Sequence, residues 1–346
     1  MDNVITLLIL LAFFLGLIYK VKVHPEGNPN FFDIHNTVAM RAFWCIIVVL
    51  VHVPAMYQNK VQDAVGSFGY IAVSFFFMTS AFGLAKGLQQ KPNGIRSFWR
   101  RRLPKLLIPQ ILCNVFFALL FLILFHRAIT LESILDIHEW IKWLLCCYFL
   151  FWLTKLIFKN EKARQIVPCL CIAGMSLLLY FLHRKAIITS TIWPTEIYGF
   201  VWGLLLAANY DRFQISGSRK WLRNVIVSCT ASLLLGVLYL KFKPVAFFGD
   251  YCLKIVLGLA IVVFILILNS RISIGNKIIS FLGNISFEIY LVHGAVFDLL
   301  SGLLGEISSG LFLFLSILVI IGIACILHLL SQIIIKRLFA LRWFRG

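Results

Sequence analysis

Charge is scarce in this 346-residue chain: 13% of residues are charged, against roughly 25% in ordinary soluble domains. Long polar stretches are scarce too, none exceeding about 25 residues, so there is no soluble domain and no low-complexity linker. What remains is 61% hydrophobic, with 32 Phe and a mean hydropathy of +0.94. A soluble globular enzyme is excluded. Disorder is excluded by the same numbers, because unfolded segments have too little apolar surface to bury, not too much. An outer-membrane barrel would alternate apolar and polar residues, whereas the apolar runs here are continuous, roughly the 17 to 25 residues that a helix needs to cross a ~30 Å hydrocarbon layer. Cleavable-signal features are missing as well. Met1-Asp2-Asn3 carries no basic charge and no small-residue cleavage site precedes Lys20, so the first run is expected to be a retained helix. The nine cysteines lie mostly in apolar runs, and neither Cys146-Cys147 nor Cys169-x-Cys171 has metal-ligand or redox spacing. They are expected to pack as small hydrophobes, with no disulfide framework and no metal. No repeat of fixed period is visible.

The apolar runs predict an all-α polytopic membrane protein of about eleven transmembrane helices, near 4–19, 38–57, 65–85, 106–125, 140–158, 166–182, 193–209, 224–240, 251–269, 279–298 and 311–331. A single transmembrane domain is expected to fill 1–346, with an extra N-terminal helix in 1–23 and a ten-helix core over 36–335. The net charge of +18 would suggest nucleic acid in a soluble protein. In a membrane protein it reports topology instead. With the N-terminus outside, 23 basic residues fall on the cytoplasmic side, among them the run 86–105 and the tail Lys336, Arg337, Arg342 and Arg345, and six fall outside. That asymmetry predicts N-out, C-in, with membrane lipids and not nucleic acid as surroundings.

Function must then come from polar groups placed where lipid makes them expensive. Arg41 and His52 are separated by ten residues, just over three helical turns, so both share one face about 16 Å apart along the axis. Taken alone, Arg41 could equally snorkel to leaflet phosphates and His52 pack as a satisfied core histidine. Residues 68–83 interleave small and hydroxyl side chains, including Ser80, with aromatics, a composition that by itself suggests close helix packing. Arg100, Arg101 and Arg102, with Lys105 and Pro109, stand directly before a membrane helix, suited to phosphate or to an anionic leaflet. Ser286, Tyr290 and His293 follow an i, i+4, i+7 pattern and form one polar stripe, while Glu288 points elsewhere. Glu196 sits near the outer end of a span, where an interfacial carboxylate costs little.

In this order the segments resemble the acyltransferase-3 family of membrane acyltransferases. Arg41 and His52 resemble the family's Arg-x10-His pair. Residues 72–82 are similar to its G-V-x-x-F-F-x-x-S-G-F segment, with Ala72 and Ala81 for glycines and Ser74 where an acidic residue is common. Arg101-Arg102-x-x-Lys105 resembles R-R-x-x-R, with lysine for the last arginine, and 285–293 resembles I-S-Y-x-x-Y-L-x-H, with Phe287 for a tyrosine.

The resemblance implies an enzyme of the bacterial inner membrane that takes acetyl from cytoplasmic acetyl-coenzyme A, a donor substrate, to a hydroxyl of a cell-surface polysaccharide or its lipid-linked precursor. It implies His52 as the reactive residue, either base or acyl carrier, and Arg41 as a positioner of the donor. Arg100, Arg101, Arg102 and Lys105 would bind coenzyme A phosphates, and Ser286, Tyr290, His293, Glu196 and Ser80 are acceptor or oxyanion candidates. Partners are then acyl-coenzyme A, the glycan acceptor and lipid, and a homodimer is compatible with the sequence. The competing readings are a small-molecule or lipid acceptor, a glycolipid transporter or flippase, and a non-catalytic scaffold. A transporter would be expected to show related halves, which are not visible.

Overall fold

Several helices in this chain begin at a short polar side chain that caps them, among them those capped by Asp33, Asn59, Asn160, Asn276 and Ser308. The computed structural model describes residues 2–189 and 193–341, so the tail residues Arg342 and Arg345 lie outside the described residues. Helix α1 runs Asp2–Ile18 and helix α2 Ile34–Val51. Asp33 caps α2 by accepting from the Asn36 amide at 2.9 Å. The helix stops at Val51 with His52 as its C-cap, because Pro54 restricts Val53 to extended backbone. The span expected over 38–57 is therefore shifted toward its N-terminus, and residues 55–57 form a separate 3-10 turn.

The chain continues through α3 (Lys60–Gly66), α4 (Gly69–Gln90), α5 (Phe98–Phe125), α6 (Leu131–Leu135), α7 (Glu139–Ile157) and α8 (Glu161–Arg184). Next come α9 (Tyr198–Ala208), α10 (Tyr210–Ser218) and α11 (Trp221–Phe242). A π-helical turn, Phe248–Leu253, leads into α12 (Lys254–Asn269), followed by α13 (Lys277–Asn284), α14 (Ser286–Leu304) and α15 (Ser309–Ala340). Among the described residues, nine helices are long and apolar enough to cross a membrane: α2, α4, α5, α7, α8, α11, the π turn with α12, α14 and α15. Helices α1 and α9 are apolar but shorter. The protein is an all-α polytopic membrane protein. Among the described residues one sheet forms, a clip in which Lys22–Val23 pairs antiparallel to Ile272–Ser273.

Helix α2 lies at the centre, 67% of its apolar window buried, and α11 at the rim with 6%. Around α2 pack α4, α13 and α14. The span expected over 279–298 is split between α13 and α14, and helix α9 is shorter than expected. The span expected over 193–209 is helical only from Tyr198, because 194–197 forms turns that begin at a proline.

The short helix is almost wholly buried and lies hard against α4. A Cβ on Gly199 would stand 1.9 Å from the Ser74 carbonyl oxygen, and one on Gly203 2.3 Å from that of Met78. These two glycines form a G-x-x-x-G face, whose lack of side chains lets backbones touch. Gly203→Val is expected to destabilise the bundle by about 1–3 kcal/mol through overpacking. Gly236→Ala, on rim helix α11 with nothing within 4 Å of the added atom, should be neutral or slightly stabilising. Thermal melting of the two variants in detergent checks the contrast, and equal melting would refute the close approach.

Candidate active site

Ending α2 at Val51 leaves the His52 ring exposed at one end of the bundle. Its Nδ1 lies 2.8 Å from the Val48 carbonyl oxygen. A carbonyl only accepts, so Nδ1 carries a proton, and in the neutral ring Nε2 keeps its lone pair. His293 on α14 is fixed the same way, Nδ1 donating to the Tyr290 carbonyl at 2.6 Å. The two rings stand edge to face with centroids 4.9 Å apart. His293 is buried, His52 open.

A third imidazole joins them. His138 precedes α7, and its Nδ1 accepts from the Trp140 amide at 3.3 Å and from the Tyr290 hydroxyl at 3.4 Å. Its proton is therefore on Nε2, opposite in tautomer to the other two. Burial, and then the neighbouring His52, holds His138 below the ordinary imidazole range. This residue was not anticipated from sequence. Its signal was weak: a histidine in a short polar connection, whose partner Tyr290 is 152 positions away.

Beside Tyr290 and Trp140 lies a cavity of about 220 Å³ lined also by Arg41, Thr79, Ser80 and Ser286. Arg41 Nε and Trp140 Nε1 are buried donors that no protein group accepts, so two N–H groups remain for a ligand in this wall. The wall is tied together from behind. Cys45 donates to the Ser286 carbonyl, and Glu288, pointing away from the stripe, accepts from His328 Nδ1 on α15 at 2.9 Å.

At the opposite end from His52, Arg100, Arg101 and Arg102 occupy the first turn of α5, with no acidic residue there and no side-chain cap from Ser97. Cations at a helix N-terminus oppose the helix dipole, so the run suits an anion. Arg102 turns toward α4, its Nη2 4.0 Å from where a Cβ on Gly87 would stand. Lys105 turns to α15, over the Phe339 ring at 6.0 Å. Arg101 and Lys105 are exposed, Arg100 and Arg102 half-buried.

The structure thus gathers Arg41, Ser80, Ser286 and Tyr290 around one cavity, sets His52 and His293 at its Tyr290 end, and places the basic run on the other face. Glu196 stands apart. It is buried in an ion pair with Lys254 at 2.7 Å and accepts from the Thr195 hydroxyl at 2.9 Å. Among the described residues no group of three or more His, Cys, Asp or Glu is placed to hold a metal ion.

A polytopic membrane protein with a polar cavity enclosed among its helices is the class this fold and site define. The family model of the acyltransferase domain Acyl_transf_3 matches residues 30–329, and the chain belongs to that family. Neither a curated protein nor a solved structure matches it. The protein is accordingly a membrane acyltransferase. Enlarging one hydroxyl of the cavity wall tests whether the cavity is the acyl route. Ser80→Leu is expected to slow acyl transfer at least about tenfold, ~1.4 kcal/mol of barrier, with little change in melting temperature, and an unaltered rate would exclude the cavity from the reaction.

Proposed function

We propose that the protein is an O-acetyltransferase of the bacterial inner membrane, oriented N-out and C-in, which moves acetyl from cytoplasmic acetyl-coenzyme A to a hydroxyl of a surface polysaccharide or its lipid-linked precursor. The observation that carries this reading is the placement of a free imidazole lone pair, His52 Nε2, at one end of the bundle, beyond a cavity whose far side approaches three arginines. Coenzyme A phosphates suit Arg100, Arg101 and Arg102, since guanidinium forks bind phosphate oxygens in pairs. The donor's amide-bearing arm suits the cavity, where Arg41 Nε and Trp140 Nε1 offer hydrogen bonds to its carbonyls. The thioester then lies near Tyr290.

In direct transfer, His52 Nε2 removes the proton of the acceptor hydroxyl as its oxygen attacks the thioester carbonyl carbon. The resulting oxyanion is met by a donor from the cluster, the Tyr290 hydroxyl or His138 Nε2–H. Collapse breaks the C–S bond, and coenzyme A leaves as the thiolate, taking the proton from the His52 imidazolium. The covalent route uses the same nitrogen: His52 Nε2 attacks the thioester carbonyl carbon, the C–S bond breaks and coenzyme A leaves as the thiolate; the acceptor hydroxyl then attacks the acetyl carbon, the C–N bond breaks, and the hydroxyl proton passes to the departing thiolate. Arg41 keeps its charge throughout and orients the donor.

The test is acetyl-coenzyme A turnover by protein in nanodiscs, wild type beside His52→Ala and Arg41→Ala. Wild type is expected to consume the thioester, His52→Ala to lose at least about 10²-fold in rate, and Arg41→Ala to raise the KM for donor. Wild-type protein that neither binds nor turns over acyl-coenzyme A would overturn the choice of donor.

A further inference from the structure

A second recess opens away from the histidine cluster, between the end of α8, the turn at 194–197 and the start of α12. Its volume is about 480 Å³, and Tyr180, Arg184, Pro194, Thr195, Asp250 and Lys254 line it. The corner that shapes it is built at a cost. Phe247 has φ +64° and ψ −50°, a backbone region that a bulky residue adopts only when its surroundings impose it. A Cβ on Gly249 would stand 1.7 Å from the Phe242 carbonyl oxygen, and the turn that follows is π-helical, a form that recurs at functional sites.

This strained corner presents one carboxylate. Asp250 Oδ1 accepts from the Tyr180 hydroxyl at 2.8 Å and the Phe247 amide at 2.6 Å, while Oδ2 lies 3.6 Å from an Arg184 nitrogen. Across the recess the second cation, Lys254, is matched by Glu196 at 2.7 Å. The charges therefore come as two pairs, and His183 also lines the recess, its Nδ1 3.1 Å from the Ile188 carbonyl oxygen.

The pairing decides the ligand class. An anion would meet Asp250 beside each arginine contact, and a cation would meet Arg184 and Lys254. An apolar ligand would strip water from Arg184, Asp250 and Lys254 without replacing its hydrogen bonds. A neutral polyhydroxyl ring supplies both donors and acceptors, and so can satisfy both signs of charge without opposing either. The recess also lies at the same end of the bundle as His52. Val51, the residue before it, packs on Gly69, and the next residue, Tyr70, donates to the Lys254 carbonyl at 2.9 Å.

We infer that this recess docks one sugar ring of the acyl acceptor, holding a saccharide chain beside His52, an inference that rests on the saccharide reading above. The acceptor site is thus distinct from the donor cavity, separated from it by α4 and built by α8 and α12.

Membrane-partitioning octyl glycosides test it: the β-D-glucoside, β-D-galactoside and β-D-N-acetylglucosaminide, offered with acetyl-coenzyme A to wild-type protein in nanodiscs. Mass spectrometry reads the acetylated product. At least one glycoside is expected to be acetylated, and Arg184→Gln and Thr195→Val are each expected to raise its KM about tenfold while the KM for acetyl-coenzyme A moves less than about twofold. Arg184 is half exposed, so its replacement threatens the fold little, and the donor KM reports on folding in the same assay. Acetylation with a glycoside KM unchanged in both variants would overturn the site and leave the saccharide acceptor standing. Wild-type hydrolysis of acetyl-coenzyme A with no glycoside acetylated would overturn the saccharide reading and the site together.

Discussion

A hydrocarbon layer offers no hydrogen bond, so a polar side chain on a central helix of this bundle has to find its partner inside the protein or in a ligand that the protein encloses. Helix α2 is the most enclosed of the long helices and carries both Arg41 and His52, and most of the surrounding architecture answers to that fact. Helix α14 brings the Tyr290 and His293 side chains, α7 begins at His138, and Cys45 fastens α2 to the Ser286 carbonyl. His328 on α15 pairs with Glu288 on the back of α14. Small residues elsewhere follow from the same demand: α9 can lie against α4 only through Gly199 and Gly203.

Backbone carbonyls set the chemistry of the cluster more than charged side chains do. Val48 and Tyr290 each take an Nδ1 proton, which leaves two Nε2 lone pairs in one place without any carboxylate to orient them. A carboxylate partner would make a stronger base, at the cost of burying another charge in lipid. The charged groups are kept at the ends, with the arginine run on α5 and the paired ions around Asp250 and Lys254 each close to water.

The helical class, the shared face of Arg41 and His52 and the stripe Ser286, Tyr290 and His293 were legible in the sequence because periodicity along a helix is local information, whereas their grouping with Ser80 into one site was implied only by the family resemblance. Contacts between distant positions were not. The partners of Glu288 and Glu196 lie 40 and 58 positions away, and nothing near either residue names them. His138 escaped for the same reason. The shortened α9 was partly legible, since Pro194 and Glu196 already interrupt the apolar run and Gly199-x-x-x-Gly203 is a packing motif in plain view. The end of α2 was legible too, in Pro54, but hydropathy alone carried the expected span past it.

The central claim is that donor and acceptor meet from opposite faces through one helix bundle. It is tested most directly in sealed proteoliposomes of known orientation, with acetyl-coenzyme A confined to one side and a charged, membrane-impermeant glycoside to the other. The account predicts acetylated glycoside only when acetyl-coenzyme A is on the face of Arg100, Arg101 and Arg102 and the glycoside on the face of His52. Transfer that requires both substrates on the same face would contradict it.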